Sequence, residues 1–245
     1  FCFNIFIQII APLFCFGFSF LESIFYNYAT EGKQRRFIKT AFTQYLSPSV
    51  INQLLQNPEN LKLGGERRRI SIFFSDIENF TSISEPLQPE QLTDLLNKYL
   101  SELSEIILKN GGTIDKYEGD AIIAFWNAPL DTENHERKAI ETAIECQKRL
   151  KELNSEFVKI AGRPLATRIG INTGDAVVGN MGSSKRFDYT AFGDSVNLAS
   201  RLEGLNKDFG TYILCTKETA LYAKQQGSSL KFRKIAYAKV LGKDK

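Results

Sequence analysis

RISIFFSD, residues 69–76, runs straight into IENFT, residues 77–81. Between Arg69 and Asp76 the first stretch is β-branched or aromatic and apolar apart from two serines, and it ends on Asp76. A short apolar run of this kind is the signature of a buried strand, and its final acid falls where the strand leaves the core. Downstream, KYEGDAIIAF (116–125) has strand signals at 113–117 and 121–126 around Glu118-Gly119-Asp120, so a hairpin is expected with Asp120 in its turn. Either aspartate alone could simply cap a turn. Together, two carboxylates on neighbouring strand ends can share a pair of Mg²⁺ ions, which take oxygen ligands and substrate phosphates. Two such ions, about 3.5–4 Å apart, clamp the attacking and leaving oxygens of a phosphoryl transfer.

Outward from this core, strand and helix signals alternate. Residues 89–110 place Leu92, Leu95, Leu96, Tyr99, Leu103, Ile106 and Ile107 on one helical face, stopped by Gly111-Gly112. A long helix is expected over about 133–159, strands near 166–173 and 175–181, a Gly/Ser turn at 182–184 and a strand near 186–191. A helix at about 194–204, then a strand, a helix and a C-terminal strand, complete the pattern. Helices between strands without regular βαβ spacing predict an α+β fold, one mixed β-sheet with helices packed on it. Within FDYTAFGDSVNLASRLE (187–203), Asn197 and Arg201 are four apart and share a helix face. Arginine offers a rigid fork of donors to phosphoryl oxygens, and asparagine can hold a sugar hydroxyl. An exposed polar face is the commoner origin of such a pair taken alone.

Composition narrows the chemistry. The 245 residues include one histidine, His135, which disfavours His-based metal sites and Ser-His-Asp or Cys-His catalysis. The four cysteines form no CxxC pair, which fits a reducing compartment. Net charge is +3, but residues 31–69 carry eight basic and three acidic side chains while the body beyond them is near neutral. That is not the basic face of a nucleic-acid binder, so no nucleic-acid partner is expected. Residues 1–21, FCFNIFIQIIAPLFCFGFSFL, have no ionisable side chain. About 20 such residues cross a bilayer as a helix, and basic residues from Lys33 onward place the C-terminal side in the cytoplasm. The organisation expected is a transmembrane helix at 1–21 ending a longer membrane region, a juxtamembrane helical linker at 22–65 and a catalytic domain at 66–245. Opening on Phe rather than Met suggests a piece of a longer chain. The helical run at 22–46 has near-heptad spacing compatible with a short coiled coil between two copies.

In combination, FSDIENFT, GTIDKYEGDAIIAFW, RIGINTGDAVVGNMG and YTAFGDSVNLASRLE resemble the catalytic domain of class III nucleotide cyclases, the adenylate and guanylate cyclases. The resemblance covers residues 66–243 and implies a ferredoxin-like palm. It implies that Asp76 and Asp120, with the backbone carbonyl of Ile77, hold two Mg²⁺ or Mn²⁺ ions. Arg201 would stabilise charge on the α-phosphate and Asn197 would orient the ribose. Lys116 and Thr190 stand at the positions that resemble the adenine-selecting pair, with Lys116 donating to N1 and Thr190 accepting from the exocyclic amine. Guanine presents the reverse pattern, and a donor buried against a donor is costly. The implied activity is a membrane-anchored adenylate cyclase at the cell (inner) membrane, converting ATP to cyclic AMP and pyrophosphate in a homodimer with composite sites.

Guanylate cyclase, diguanylate cyclase and a silent dimerising module are the rival readings. Lys116 and Thr190 oppose the first, the Asn197/Arg201 pair the second, and the complete residue set the third. Three departures from the family pattern stand out. Glu78-Asn79 replaces a common Arg-Gly, and Asn172 stands where His is common. Leu241 falls where relatives often carry a triphosphate-contacting Lys, leaving Lys239 or Lys243 as substitutes.

Overall fold

The computed structural model describes residues 17–22, 63–183 and 186–236. The chain divides into two units, Phe1–Ile51 and Asn52–Lys245. In the first, residues 17–22 form a helical run with Phe18, Phe20 and Leu21 exposed. No helix of the described residues is long and apolar enough to cross a membrane. Nearly all of the expected linker at 22–65, with its helical run at 22–46, lies outside the described residues, as do Lys239, Leu241 and Lys243 and most of the expected membrane span.

The second unit is built on β1 (Gly64–Ile77). After it come α1 (Phe80–Ser84), α2 (Pro89–Lys109), β2 (Thr113–Glu118), β3 (Ala121–Trp126) and α3 (His135–Ala161). The chain continues through β4 (Thr167–Ser183), β5 (Arg186–Phe192), α4 (Asp194–Phe209), β6 (Ile213–Cys215) and α5 (Lys217–Gln225). The sheet order is β2-β3-β1-β4-β5, antiparallel throughout, with β6 parallel to β4 at the side. This is the expected α+β arrangement with a mixed sheet.

Alternation along β1 sorts the two faces. Phe73 and Ile77 point to the main core with Ile169 and Ile171 of β4, where α2 contributes Leu95, Tyr99 and Leu103 and α3 contributes Ile140, Cys146 and Phe157. Ile70 and Ile72 point the other way and meet Ala176, Val178 and Ala191, covered by Ala199 of α4. The buried Phe73 and Trp126 rings pack edge to face, 6.1 Å apart. On the main-core face, buried hydroxyls pair with one another. Ser71 Oγ lies 2.8 Å from both Thr173 Oγ1 and His135 Nδ1, and Tyr99 Oη lies 2.8 Å from Thr167 Oγ1. His135 is thus a core residue, its pKa lowered first by burial.

Three expectations change. The strands near 166–173 and 175–181 are one continuous strand. Gly174, between them, is no turn: a Cβ there would lie 2.4 Å from Ser195 Oγ, so its missing side chain seats α4. The strand also continues through the expected turn to Ser183. Finally, α4 does not end at Gly204 but runs to Phe209 and stops at Gly210, whose φ is 59°. Past Gly204, buried Asn206 donates from Nδ2 to the Ile169 carbonyl at 3.0 Å and ties the last turns to β4. Residues 228–236 form no strand, and the expected C-terminal strand, around Lys239 and Lys243, lies outside the described residues.

Contact between α4 and β4 depends on Gly170, where a Cβ would come within 2.2 Å of the Ala199 carbonyl oxygen and the Glu203 amide nitrogen. Gly170→Ala is expected to destabilise the domain by about 1–3 kcal/mol, read as a lower urea midpoint. Gly204→Ala, with nothing within 4 Å of the new Cβ, is expected to be neutral or to stabilise by up to about 1 kcal/mol. Equal midpoints for the two variants would contradict this seating of the helix.

Candidate active site

Asp76 and Asp120 meet at one end of the sheet. Pairing of β1 with β3 sets Ser75 opposite Ile122, which brings the β2–β3 turn alongside the end of β1. The Ile77 amide then donates to both acids, to Asp120 Oδ2 at 2.9 Å and to Asp76 Oδ1 at 3.1 Å. The two carboxylates share the Ile77 amide, and among the described residues the only further backbone donor acting on Asp120 is its own amide, which leaves most of their charge unneutralised. Accordingly the Asp120 carboxyl is pushed up to about 7, first by burial and then by Asp76 beside it.

Glu203, on α4 over Gly170, is a third acid in this neighbourhood. Burial, then the Asp76 charge, pushes it up to about 7. No sequence pattern marks Glu203, because its approach to Asp76 depends on how α4 lies across β4. Among the described residues no three His, Cys, Asp or Glu side chains are grouped closely enough to hold a metal ion. Glu203 therefore adds to the negative field without completing a cage. Two adjacent carboxylates, with Asp120 pushed up by burial and by Asp76 beside it, fit a divalent cation that takes its remaining ligands from phosphate and water. The Ile77 carbonyl belongs to the residue whose amide both acids share.

The departures at Glu78-Asn79 have local explanations. Asn79 has φ 55°, the left-handed region that favours glycine and that asparagine tolerates. Glu78 accepts from Arg168 Nη2 at 2.5 Å, an ion pair largely out of solvent. At the second departure, Asn172 Nδ2 donates to the Ser195 carbonyl at 2.9 Å and its Oδ1 accepts from Thr216 Oγ1 at 3.0 Å, holding α4 and the start of α5 to β4.

A second group is spread over β2, β5 and α4. Lys116 is exposed on β2, Thr190 is buried on β5, and Asn197 and Arg201 are exposed on α4, one turn apart. Although β2 and β5 are the ends of the sheet order, Thr190 Oγ1 donates to Asp115 Oδ2 at 2.7 Å. The long strands twist enough for the two edges to meet, so Thr190 comes beside the Asp115-Lys116 pair. Asp115 was not among the residues singled out from sequence.

The comparisons with known proteins agree with one another. The family model for the adenylate and guanylate cyclase catalytic domain matches residues 65–245. Adenylate cyclase 1 of Rhizobium meliloti is 40% identical over 203 residues, 82% of this chain and 30% of that protein. Of solved structures, the adenylyl cyclase CyaB from P. aeruginosa is 42% identical with TM-score 0.61, over 66% of this chain and 84% of that one. The guanylyl cyclase Cya2 is 38% identical with TM-score 0.61, over 66% and 81%. The chain spans about a third of the length of the curated relatives it matches.

The raised acids carry a pH signature. A carboxyl that titrates near 4 in the unfolded chain and near 7 in the folded one keeps its proton on folding. Its contribution is fully present below about pH 4 and is lost as the pH rises to about 7. With cations chelated, this component of stability is expected to fall across that window. Asp120→Asn should remove part of the slope, and adding Glu203→Gln most of the rest. Mn²⁺ at pH 8 should raise the melting temperature of the wild type more than that of Asp120→Asn. A slope unchanged in the double variant would contradict the assignment.

Proposed function

Because the chain belongs to the adenylate and guanylate cyclase catalytic-domain family, we propose that it converts ATP to 3′,5′-cyclic AMP and pyrophosphate. The observation that carries this reading is the carboxylate pair clasped by one backbone amide, together with Lys116 and Thr190 gathered beside Asp115. Asp76 and Asp120, with the Ile77 carbonyl, would hold two Mg²⁺ or Mn²⁺ ions. When bound, these supply Lewis acidity at the ribose 3′-hydroxyl and neutralise the triphosphate. The 3′-oxygen forms its bond to the α-phosphorus as the bond to the β-phosphate bridging oxygen breaks, and the hydroxyl proton passes to water. Arg201 offers donors to the α-phosphate as its charge grows, and Asn197 holds the ribose, so the chain's own part is positioning and electrostatics.

Base choice rests on residues, since an adenylyl and a guanylyl cyclase structure match this fold equally well, each at TM-score 0.61. Lys116 presents an ammonium to an unprotonated N1, as adenine has and guanine lacks. The catalytic unit works as a homodimer in which Asp76 and Asp120 of one copy face the Lys116, Thr190, Asn197 and Arg201 set of the other. Exposed apolar side chains on the sheet support a partner there: Phe192 is 57% and its register partner Val177 43% exposed. Residues 1–21 anchor the protein in the cell (inner) membrane, with the catalytic unit in the cytoplasm. Support comes from their uncharged sequence and the basic residues that follow.

With Mg²⁺ or Mn²⁺ the protein is expected to cyclise ATP at least about tenfold faster than GTP, measured by separating the cyclic products. Equal rates would remove the adenine assignment. Asp76→Ala and Arg201→Ala are each expected to be inactive alone, and their mixture to regain up to about a quarter of wild-type activity through one intact composite site. No recovery, with mixed dimers shown to form, would count against the shared site. For the anchor, the protein expressed in bacteria should remain in the membrane fraction through alkaline carbonate, and deletion of residues 1–21 should release it.

A further inference from the structure

Asp115 is an uncommon residue for its surroundings. Its side chain is 2% exposed, and burial raises its pKa before any partner lowers it. It has a specific geometric origin. Ile114 pairs with Ala124 and Lys116, not Asp115, pairs with Ile123, so Asp115 is the extra residue of a β-bulge. A bulge sets two successive side chains on the same face of a sheet, and Asp115 and Lys116 accordingly both lie on the face that α4 covers.

The two oxygens of Asp115 have different surroundings. Oδ2 accepts from the Thr190 hydroxyl at 2.7 Å and, more weakly, from the Ala191 amide at 3.4 Å. Oδ1 is buried without a hydrogen-bond partner among the described residues. The cation nearest to it is the Lys116 ammonium, at 3.8 Å. A threonine hydroxyl has one proton and can ordinarily turn it toward any acceptor. Here that proton is committed to a buried carboxylate, and the oxygen has only lone pairs left to present.

We propose that Asp115 is a positioning residue for base selection: it makes Thr190 an obligate hydrogen-bond acceptor and draws the Lys116 ammonium toward the same side. The pair then presents one acceptor and one donor, the complement of an exocyclic amine next to an unprotonated ring nitrogen. A carbonyl at the amine position would meet lone pairs with lone pairs, and the bonded carboxylate prevents the hydroxyl from turning to relieve this. The inference rests on the ATP reading above and assigns the origin of its selectivity to a residue that need not touch the base.

The test compares ATP with purine riboside triphosphate, which keeps N1 but lacks the 6-amine. In the wild type the ratio of kcat/KM values is expected to favour ATP by about tenfold. Asp115→Leu removes the acceptor at similar volume and releases the hydroxyl proton. The ratio is expected to fall about fivefold, mainly through a higher KM for ATP, with the purine riboside rate nearly unchanged. Apparent Mn²⁺ affinity should stay constant, since Asp76 and Asp120 are untouched. Should the leucine variant not fold, Asp115→Ala, which also lacks an acceptor for the Thr190 hydroxyl, is measured in the same way, with a reduced ratio again expected. Equal loss on both substrates would show that Asp115 only supports the fold, and an unchanged ratio would also overturn the proposal. A wild type that makes no cyclic AMP overturns the ATP reading itself. An ATP-selective wild type with equally selective variants overturns only the role given to Asp115.

Discussion

The long antiparallel ladder between β1 and β4 is the constraint on which the rest of this domain depends. Its register runs unbroken from Gly64 opposite Asn180 to Ile77 opposite Thr167. Alternation along the ladder sends Phe73 and Ile77 to the core under α2 and α3, and Ile70 and Ile72 to the face that receives α4. A slip of one residue would exchange the faces, turning Asp76 into the apolar core and Phe73 outward. The same ladder lines up Gly170 and Gly174 beneath α4, where the helix backbone and Ser195 leave no space for a side chain. Sheet register and helix seating are therefore one packing solution, and the functional residues are distributed along it.

Electrostatically the domain concentrates cost at one point. Asp76 and Asp120 share a single amide donor, and Glu203 adds a third partly buried acid nearby. Repulsion of this kind is tolerated where a cation is to be held, because the ion converts an unfavourable cluster into a ligand set. The surrounding residues limit the damage. Arg168 is paired to Glu78 rather than to Asp76 or Asp120, and Thr167 Oγ1 donates to the Asp76 carbonyl at 2.8 Å, holding the strand end in place. The group around Asp115 follows a different pattern, since there one buried carboxylate accepts from the Thr190 hydroxyl and lies 3.8 Å from the Lys116 ammonium.

Much of the fold was legible because its signals are local. The apolar face of α2, the hairpin turn at Glu118-Gly119-Asp120 and the apolar strand ending in Asp76 depend on periodicity and turn chemistry alone. Errors arose where a residue had two possible uses. Gly174 and Gly204 look like breakers in sequence, yet one makes room for a helix and the other lies within it. Asn79 looked like a departure and proved to occupy a backbone conformation that glycine and asparagine share. Asp76, Asp120, Lys116 and Thr190 stand out through motif combination, whereas Glu203 and Asp115 do not, because neither has a sequence neighbour that explains it.

By itself the sequence determined which residues could perform the chemistry, since carboxylates at strand ends, an Asn/Arg pair at helical spacing and a motif set are properties of residue type and order. Tertiary structure alone decided which of them meet. The Ile77 amide joins acids from two strands, and sheet twist brings Thr190 from one edge to Asp115 on the other. A β-bulge sets Asp115 and Lys116 on one face against the normal alternation. These are consequences of long-range pairing, and no local pattern in the chain encodes which partner a buried polar atom will find.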